Sequence, residues 1–314
     1  MVRRDGTRFR GFALAVAIQM LALPVLARLG WVQLSIPAFY PLGAVLGGYL
    51  FGLAMGWAGG CAAGLWYKWG SGDWGRFAAL VGMIAGAATA EAGPLRWMRE
   101  QVQGVGNTEV IRSATLGGLL GAEWLVFPLG GLILLWLGRS QVSAQSGAWS
   151  WRWTGLALGI LGVLAWPLSA LAGRFFGMAV LPGSTALLDF AVTGQRSYLN
   201  WDLLFVLGLP LGAYLAARQQ GPVSSEPVPG AELARAFGGG SLLGVSASLA
   251  GGCTVGHSLV GVPLLSAGSL VTTLFILLGT WTTGYFELRK KGSMTTASQI
   301  DEAVELISAC LHGH

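Results

Sequence analysis

Apolar residues in this chain come in long blocks rather than at strict two-residue alternation. Eight blocks stand out, at about 11–29, 39–58, 76–93, 113–138, 151–173, 199–217, 235–252 and 266–286. Each is near the roughly 20 residues an α-helix needs to cross the hydrocarbon core of a bilayer. The pattern predicts an all-α integral membrane protein of about eight spans. After the second and seventh blocks run AAGLWYKWGSGDW (62–74) and TVGHSLVGVPLLSAG (254–268), both too short and too broken by Gly or Pro to span. Each is expected to form a short helix or re-entrant loop. Backbone of that kind survives at membrane depth only inside protein or beside a cavity, where its amides find partners.

Composition agrees with the pattern. Hydrophobic residues make up 54% of the 314 and charged residues 11%, with a mean hydropathy of +0.62; soluble domains carry about a quarter charged residues. The 50 glycines fit closely packed spans, because small residues let helices in lipid approach and gain dispersion contacts. Many of the 14 tryptophans lie near block ends, where an amphipathic indole prefers the headgroup region. Arg3, Arg4, Arg8 and Arg10 are too many charges, and the block after them too long, for a cleavable signal peptide, so this block is kept as a first span.

The sequence pI of about 9.4 does not imply nucleic acid, because the basic residues serve as topology markers. With the N-terminus inside, 13 of the 19 Lys and Arg fall on inner segments, so both termini are expected in the cytoplasm of a bacterial-type inner (plasma) membrane protein. Three cysteines without a close pair exclude a disulfide scaffold and the usual zinc or iron–sulfur spacings, and no cofactor or metal is expected.

One internal repeat is clear, offset by 192 residues. Gly47, Gly48, Leu50, Gly52, Ala58, Gly59, Gly60, Cys61 and Gly64 match Gly239, Gly240, Leu242, Gly244, Ala250, Gly251, Gly252, Cys253 and Gly256. The copies are five spans apart, and an odd separation inverts their orientation, the inverted repeat of channels and secondary transporters. Gly59-Gly60 and Gly251-Gly252, each before a short helix, leave amides and a positive dipole end near the membrane centre, an environment that suits an anion. Cys61 and Cys253 stand in that field. A thiol is a soft, weak donor, better matched to sulfur than to a hard oxyanion. The plain alternative is a buried cysteine that fills space.

The segments GGCAAGLWYKWGSGDW and GGCTVGHSLVG, with RDGTRFRGFALAVAIQML near the start and NWDLLFVLGLPLGAYLAAR at 200–218, resemble the YeeE/YedE sulfur-transport family over roughly residues 5–286. The resemblance implies uptake of thiosulfate or a close sulfur anion through an hourglass-shaped protein. Cysteine thiols there pass the anion across a narrow centre by transient hydrogen bonds, and Cys61 and Cys253 occupy two of those relay positions. It also implies a soluble TusA-like sulfur carrier as partner. Family members commonly begin with a further cysteine-bearing helix, and this chain is expected to start just after it.

Other polar residues are weaker candidates. Glu123, near the middle of the fourth block, is placed either to couple transport to protons or to make a structural hydrogen bond in its protonated form. Lys68, seven residues after Cys61, shares its helical face and either attracts the anion or snorkels to the interface. His257, four residues after Cys253, is either a substrate or proton ligand or a packing histidine. Cys310 lies in an amphipathic tail striped by Ile300, Val304, Ile307 and Leu311 and is not expected on the pathway. Asp189, Asp202 and Glu91, near block ends, offer no reason to prefer function over solvation.

The expected organisation is a first membrane half (1–140), a linker (141–150), a second half (151–290) and a cytoplasmic tail (291–314). The rival readings are a carrier of sulfite, a persulfide or a selenium compound, a membrane thiol oxidoreductase, and a docking partner for a soluble carrier. A resolving dithiol or cofactor site is missing from the sequence, which disfavours the oxidoreductase. A fluorescent or phosphatase reporter fused after His314 is expected to report the cytoplasmic side; activity on the outer side would reverse the topology.

Overall fold

The computed structural model describes residues 7–106, 114–139, 150–221 and 228–286. Cys310, the tail stripe and nearly all of the expected linker lie outside the described residues. The chain forms helices α1 (Thr7–Arg28), α2 (Pro41–Ala58), α3 (Ala62–Gly70), α4 (Trp74–Glu91), α5 (Arg96–Gly104), α6 (Val126–Gly138), α7 (Trp151–Leu171), α8 (Leu181–Thr193), α9 (Trp201–Gln220), α10 (Gly230–Ala250) and α11 (Ala267–Phe286). A turn of π-helix covers Val255–Gly261. Among the described residues the only β-type pairing is an isolated bridge, Thr115 with Ser266.

Seven of the eight apolar blocks become helices close to their expected bounds. The fourth does not. Its residues form one turn at Leu116–Leu119, a 3-10 turn at Glu123–Leu125 and then the 13-residue α6. Gly121 takes a positive φ of 63° between them, a conformation that a continuing helix cannot contain. Glu123 therefore enters at the start of α6 rather than in the middle of a span. Among the described residues five helices are long and apolar enough to cross a membrane, or up to seven if each bent pair counts as one span. Two helices escaped the hydropathy reading. α5, RWMREQVQG, is only nine residues long and mostly polar, and α8, LPGSTALLDFAVT, is only 13 residues long with Ser184, Thr185 and Asp189 interrupting it.

The cysteine segments interrupt two of the longer elements. Pro41–Gly70 forms one apolar stretch of 30 residues broken at Gly59-Gly60-Cys61, so α3 carries on from α2. Beyond Cys253 the π turn is bent by 45° from α10.

Glycine decides how the helices meet. A Cβ placed on Gly47 falls 2.6 Å from Ala250 N and 2.8 Å from Ser246 O, and one on Gly239 falls 2.5 Å from Ala58 N. The backbones of α2 and α10 thus touch with no side chain between them. The pairing order, Gly43 with Leu249, Gly47 with Ser246 and Gly239 with Ala58, runs antiparallel, so the two repeated helices are inverted relative to each other. Around this pair, α4 packs parallel to α10 through Gly244, near Ala87, and α11 packs parallel to α2 through Gly52, near Thr280. In lipid no hydrophobic effect drives helices together, so this dense dispersion contact is what holds them. α1 and α7 pair through Gly11, Gly155 and Gly159, and α9 meets the end of α3 where Gly70 touches Pro210.

Phe51, Ala54, Leu65, Trp66, Met83, Leu243 and Ala247 form the central core, with Val180 just before α8, Leu181 of α8 and Val206 of α9 closing it. Large apolar residues such as Leu204, Leu211 and Leu215 face outward from α9, as lipid-facing residues do. Substituting Gly47→Leu or Gly239→Leu is expected to lower stability by about 1–3 kcal/mol or more through overpacking, read as a lower apparent Tm in detergent. Gly208→Leu, where a Cβ meets nothing within 4 Å, is expected to leave it unchanged.

Candidate functional site

The two cysteine turns match in the conformation of their glycines and in two backbone hydrogen bonds, although α3 follows one and the π turn the other. Gly59 ends α2 in the left-handed region (φ 77°, ψ 21°), and Gly251 ends α10 in the same way (φ 79°, ψ 15°). The Gly60 N–H donates to Met55 O at 3.0 Å and the Gly252 N–H to Ala247 O at 2.9 Å, the six-to-one bond of a glycine-closed helix end. After each cysteine the chain coils again: the Leu65 N–H donates to Cys61 O at 2.9 Å, and the His257 N–H to Cys253 O at 3.0 Å. Every member of these pairs is 192 residues from its counterpart. Both thiols are free. Cys253 is buried in the central core and Cys61 is partly buried against the same core. Cys61 is the N-cap residue of α3, and the Ala63 and Gly64 amides are turned toward its sulfur without a cap hydrogen bond.

What surrounds the two turns differs. At the Cys61 end, Lys68 Nζ donates to Gly59 O at 2.7 Å and Arg76 Nη1 donates to Ala58 O at 3.2 Å. Two cations thus take carbonyls that the end of α2 leaves free, where the helix dipole favours positive charge. Arg76 in turn pairs with Asp73 at 3.3 Å, and Asp73 caps α4 by accepting from the Arg76 N–H at 3.1 Å. Because α4 and α10 begin beside the end of α2, Arg235 lies at the same end.

At the Cys253 end there is a cavity of about 170 Å³, lined by Cys253, His257, Arg174, Phe176, Pro37 and Val180 among others. Arg174 forms an ion pair with Asp202, which is 5% exposed, and lies over the Phe176 ring at 5.3 Å. Burial lowers the Arg174 guanidinium to about 10, so it keeps its charge near neutral pH. His257 Nδ1 is 3.2 Å from Ser269 Oγ. Beside this end, Ser248 Oγ donates to Glu91 Oε1 at 3.2 Å, and Gln103 Nε2 donates to the Ser248 and Leu249 carbonyls at 2.8 and 3.2 Å. α5 therefore does for the end of α10 what Lys68 and Arg76 do for the end of α2.

Residues 1–282 match the family described as sulphur transport. The chain belongs to that family. It is 28% identical over 317 residues to the thiosulfate transporter TsuA of Escherichia coli (strain K12), with 94% of this chain and 89% of that protein aligned. It is 30% identical over 304 residues to the thiosulfate transporter TsuA of Spirochaeta thermophila (strain ATCC 700085 / DSM 6578 / Z-1203), with 91% and 90% aligned. The sulfur-transport resemblance carried by the two cysteine loops is borne out, and both relatives are named as transporters rather than enzymes.

Of the residues singled out in the sequence, Cys61, Gly59, Gly60 and Lys68 cluster at one turn and Cys253, Gly251, Gly252 and His257 at the other. Glu123 joins neither cluster, since its backbone sits in the 3-10 turn before α6. Arg174 was not singled out. It stands in the loop between α7 and α8, and its partner Asp202 starts α9, so only folding brings them to the cavity. Gly59→Ala and Gly251→Ala are each expected to cost roughly 1–2 kcal/mol, the penalty of an L side chain in the left-handed region. Gly60→Ala is expected to be neutral, since its φ is ordinary and a Cβ there has no neighbour closer than 3.8 Å. Thermal unfolding of the three variants in detergent checks the contrast; equal losses would contradict it.

Proposed function

We propose that this protein imports thiosulfate, or a close sulfur anion, across the inner membrane by handing it between the thiols of Cys253 and Cys61. The observation that carries this reading is the pair of matching helix breaks, each bearing a thiol on one shared core, in helices that run in opposite directions. Both named relatives are thiosulfate transporters, and the family is one of sulphur transport.

Each part of the geometry has a use in such a pathway. Cationic ends attract a dianion to both mouths: Arg174 beside Cys253, Lys68 and Arg76 beside Cys61. Between them, thiols offer weak, soft donors, so the anion binds well enough to enter and loosely enough to leave, as conduction through successive sites requires. Gly60 and Gly252 leave space beside Lys68 and His257, where a Cβ would lie 3.8 Å from Lys68 Nζ and 3.0 Å from His257 Nε2. No bond is made to the cysteines and no electrons are exchanged.

With both termini cytoplasmic, the Cys253 cavity faces outward and the Lys68–Arg76 end faces the cytoplasm, where a soluble TusA-like carrier would receive the cargo. In cells lacking other uptake routes, Cys61→Ala and Cys253→Ala are each expected to reduce uptake of labelled thiosulfate by about tenfold or more, the effect of removing one hydrogen-bond partner in a site shielded from water. Undiminished uptake in both well-expressed variants would refute the relay.

A further inference from the structure

α6 is too short to cross a membrane, and a cavity lies beside the end where it starts. Its 13 residues rise about 20 Å, against about 30 Å of hydrocarbon. It runs antiparallel to α1: a Cβ on Gly130 would lie 3.1 Å from the Leu21 side chain and 3.3 Å from that of Met20, and Phe127 lies under the Arg28 guanidinium at 5.5 Å. The last turn of α1 therefore stands beside the start of α6, with the turns at Leu116–Leu119 and Glu123–Leu125 before it. A cavity of about 280 Å³ opens there, lined by Ala27, Arg28, Val126, Phe127, Leu264 and Leu265 among others. One wall is pinned in place: the Leu116 N–H donates to Leu265 O at 2.9 Å, and the Ala267 N–H to Ala114 O at 3.0 Å.

Only two of the lining side chains are polar, Thr115 and Arg28. Thr115 Oγ1 already accepts from the Gly118 N–H at 3.0 Å. Arg28 is exposed, and among the described residues it has the Phe127 ring but no carboxylate or carbonyl to donate to. An arginine at a helix end ordinarily snorkels to the headgroups; this one does so at the rim of an apolar cavity. Trp31, three residues on and 68% exposed, marks the same interface.

We infer that this cavity is a binding site for an anionic phospholipid of the surrounding bilayer, with the lipid phosphate on Arg28 and one acyl chain in the apolar space between α1 and α6. Charge and shape select the ligand together. A space this apolar does not hold ordered water, which needs two to four polar partners, so hydrocarbon is what restores contact to its walls. The guanidinium needs an oxyanion, and a phosphate offers it two parallel charge-assisted hydrogen bonds. Basic pockets between membrane helices hold anionic headgroups in this way. A small free anion would satisfy Arg28 and leave the walls bare, whereas an alkane would do the reverse. A phospholipid satisfies both. A zwitterionic lipid brings its own ammonium to its phosphate and so competes with Arg28, which favours an anionic headgroup. The site also touches the centre of the fold. Pro263–Leu265 follows closely on the π turn after Cys253, and the Val262 N–H donates to His257 O at 2.8 Å, so a seated chain packs against that segment from the lipid side.

For the test, the full-length protein is reconstituted in vesicles of equal parts phosphatidylglycerol and phosphatidylcholine, extracted gently in detergent, and weighed by native mass spectrometry. Wild-type protein is expected to retain phosphatidylglycerol in preference to phosphatidylcholine. R28Q is expected to weaken that retention about tenfold. A27W, which fills the cavity with an indole and keeps the cation, is expected to weaken it to a similar degree. R152Q removes a guanidinium that also lies over an aromatic ring, Trp151 at 5.4 Å, but lines no part of this cavity, and it is expected to retain lipid as wild type does. Should A27W fail to fold, R28Q against R152Q decides. Equal retention of the two lipids by wild type, or retention of neither, overturns the site. So does phosphatidylglycerol retention that is unchanged in R28Q or in folded A27W, or that falls equally in R152Q. Each of these outcomes leaves the transport reading in place, because no cargo enters the measurement.

Discussion

Where Gly47 of α2 meets Ser246 and Ala250 of α10, and Gly239 of α10 meets Ala58 of α2, no side chain separates the two backbones. Contact this close allows little freedom in how the helices cross. It fixes them antiparallel, and because each helix is then packed parallel to the outer helix of the opposite repeat, α4 and α11 are fixed with them. The ends of α2 and α10 follow from the same contact. Each stops at a left-handed glycine, and each stop presents a thiol to the common core. A single apolar side chain at Gly47 or Gly239 would have to push backbone aside, so the symmetry of the turns depends on glycines well away from the cysteines themselves.

On that symmetrical backbone the side chains have diverged. Residues equivalent across the repeat, Leu65 with His257 and Lys68 with Val260, give the two turns different electrical surroundings. At the Cys61 end, cations serve the helix terminus and lie close to the thiol without being free of other partners. At the Cys253 end, a cation is balanced by a buried carboxylate beside an open cavity, and a histidine nitrogen has no partner. The frame is therefore symmetrical in its backbone at the two thiols and unlike in the charge around them. The α4–α11 relation carries a one-residue shift, with Ala79 near Gly240 answered by Thr272 near Gly48, so the second copy has also changed length by one residue.

Much of this could be read from the sequence. Blocks of about 20 apolar residues specify membrane helices because an unpaired backbone amide in hydrocarbon is costly, so helical spans follow from hydropathy alone. The repeat was legible because a rare cysteine keeps its frame with several glycines over 192 residues, and the odd span count already implied inversion. Blocks fail as a guide where length and polarity mix. The stretch 113–138 was long and apolar enough to look like one span, but its glycines allow turns, and packing against α1 requires only the short α6. α5 and α8 were invisible because neither carries a run of spanning length.

By itself the sequence determined that the chain lies in a membrane, that it is duplicated, and that each copy carries a Gly-Gly-Cys break. Those properties are local, written in hydropathy and in the φ that only glycine accepts cheaply. Only the tertiary structure decided that both thiols join one core, that Lys68 and Arg76 cap a helix end, and that Arg174 with Asp202 stands beside Cys253 and His257. These last are contacts between elements far apart in the chain, and no periodicity records them: the helices must first be brought to van der Waals distance by their glycines before those side chains have a place to meet.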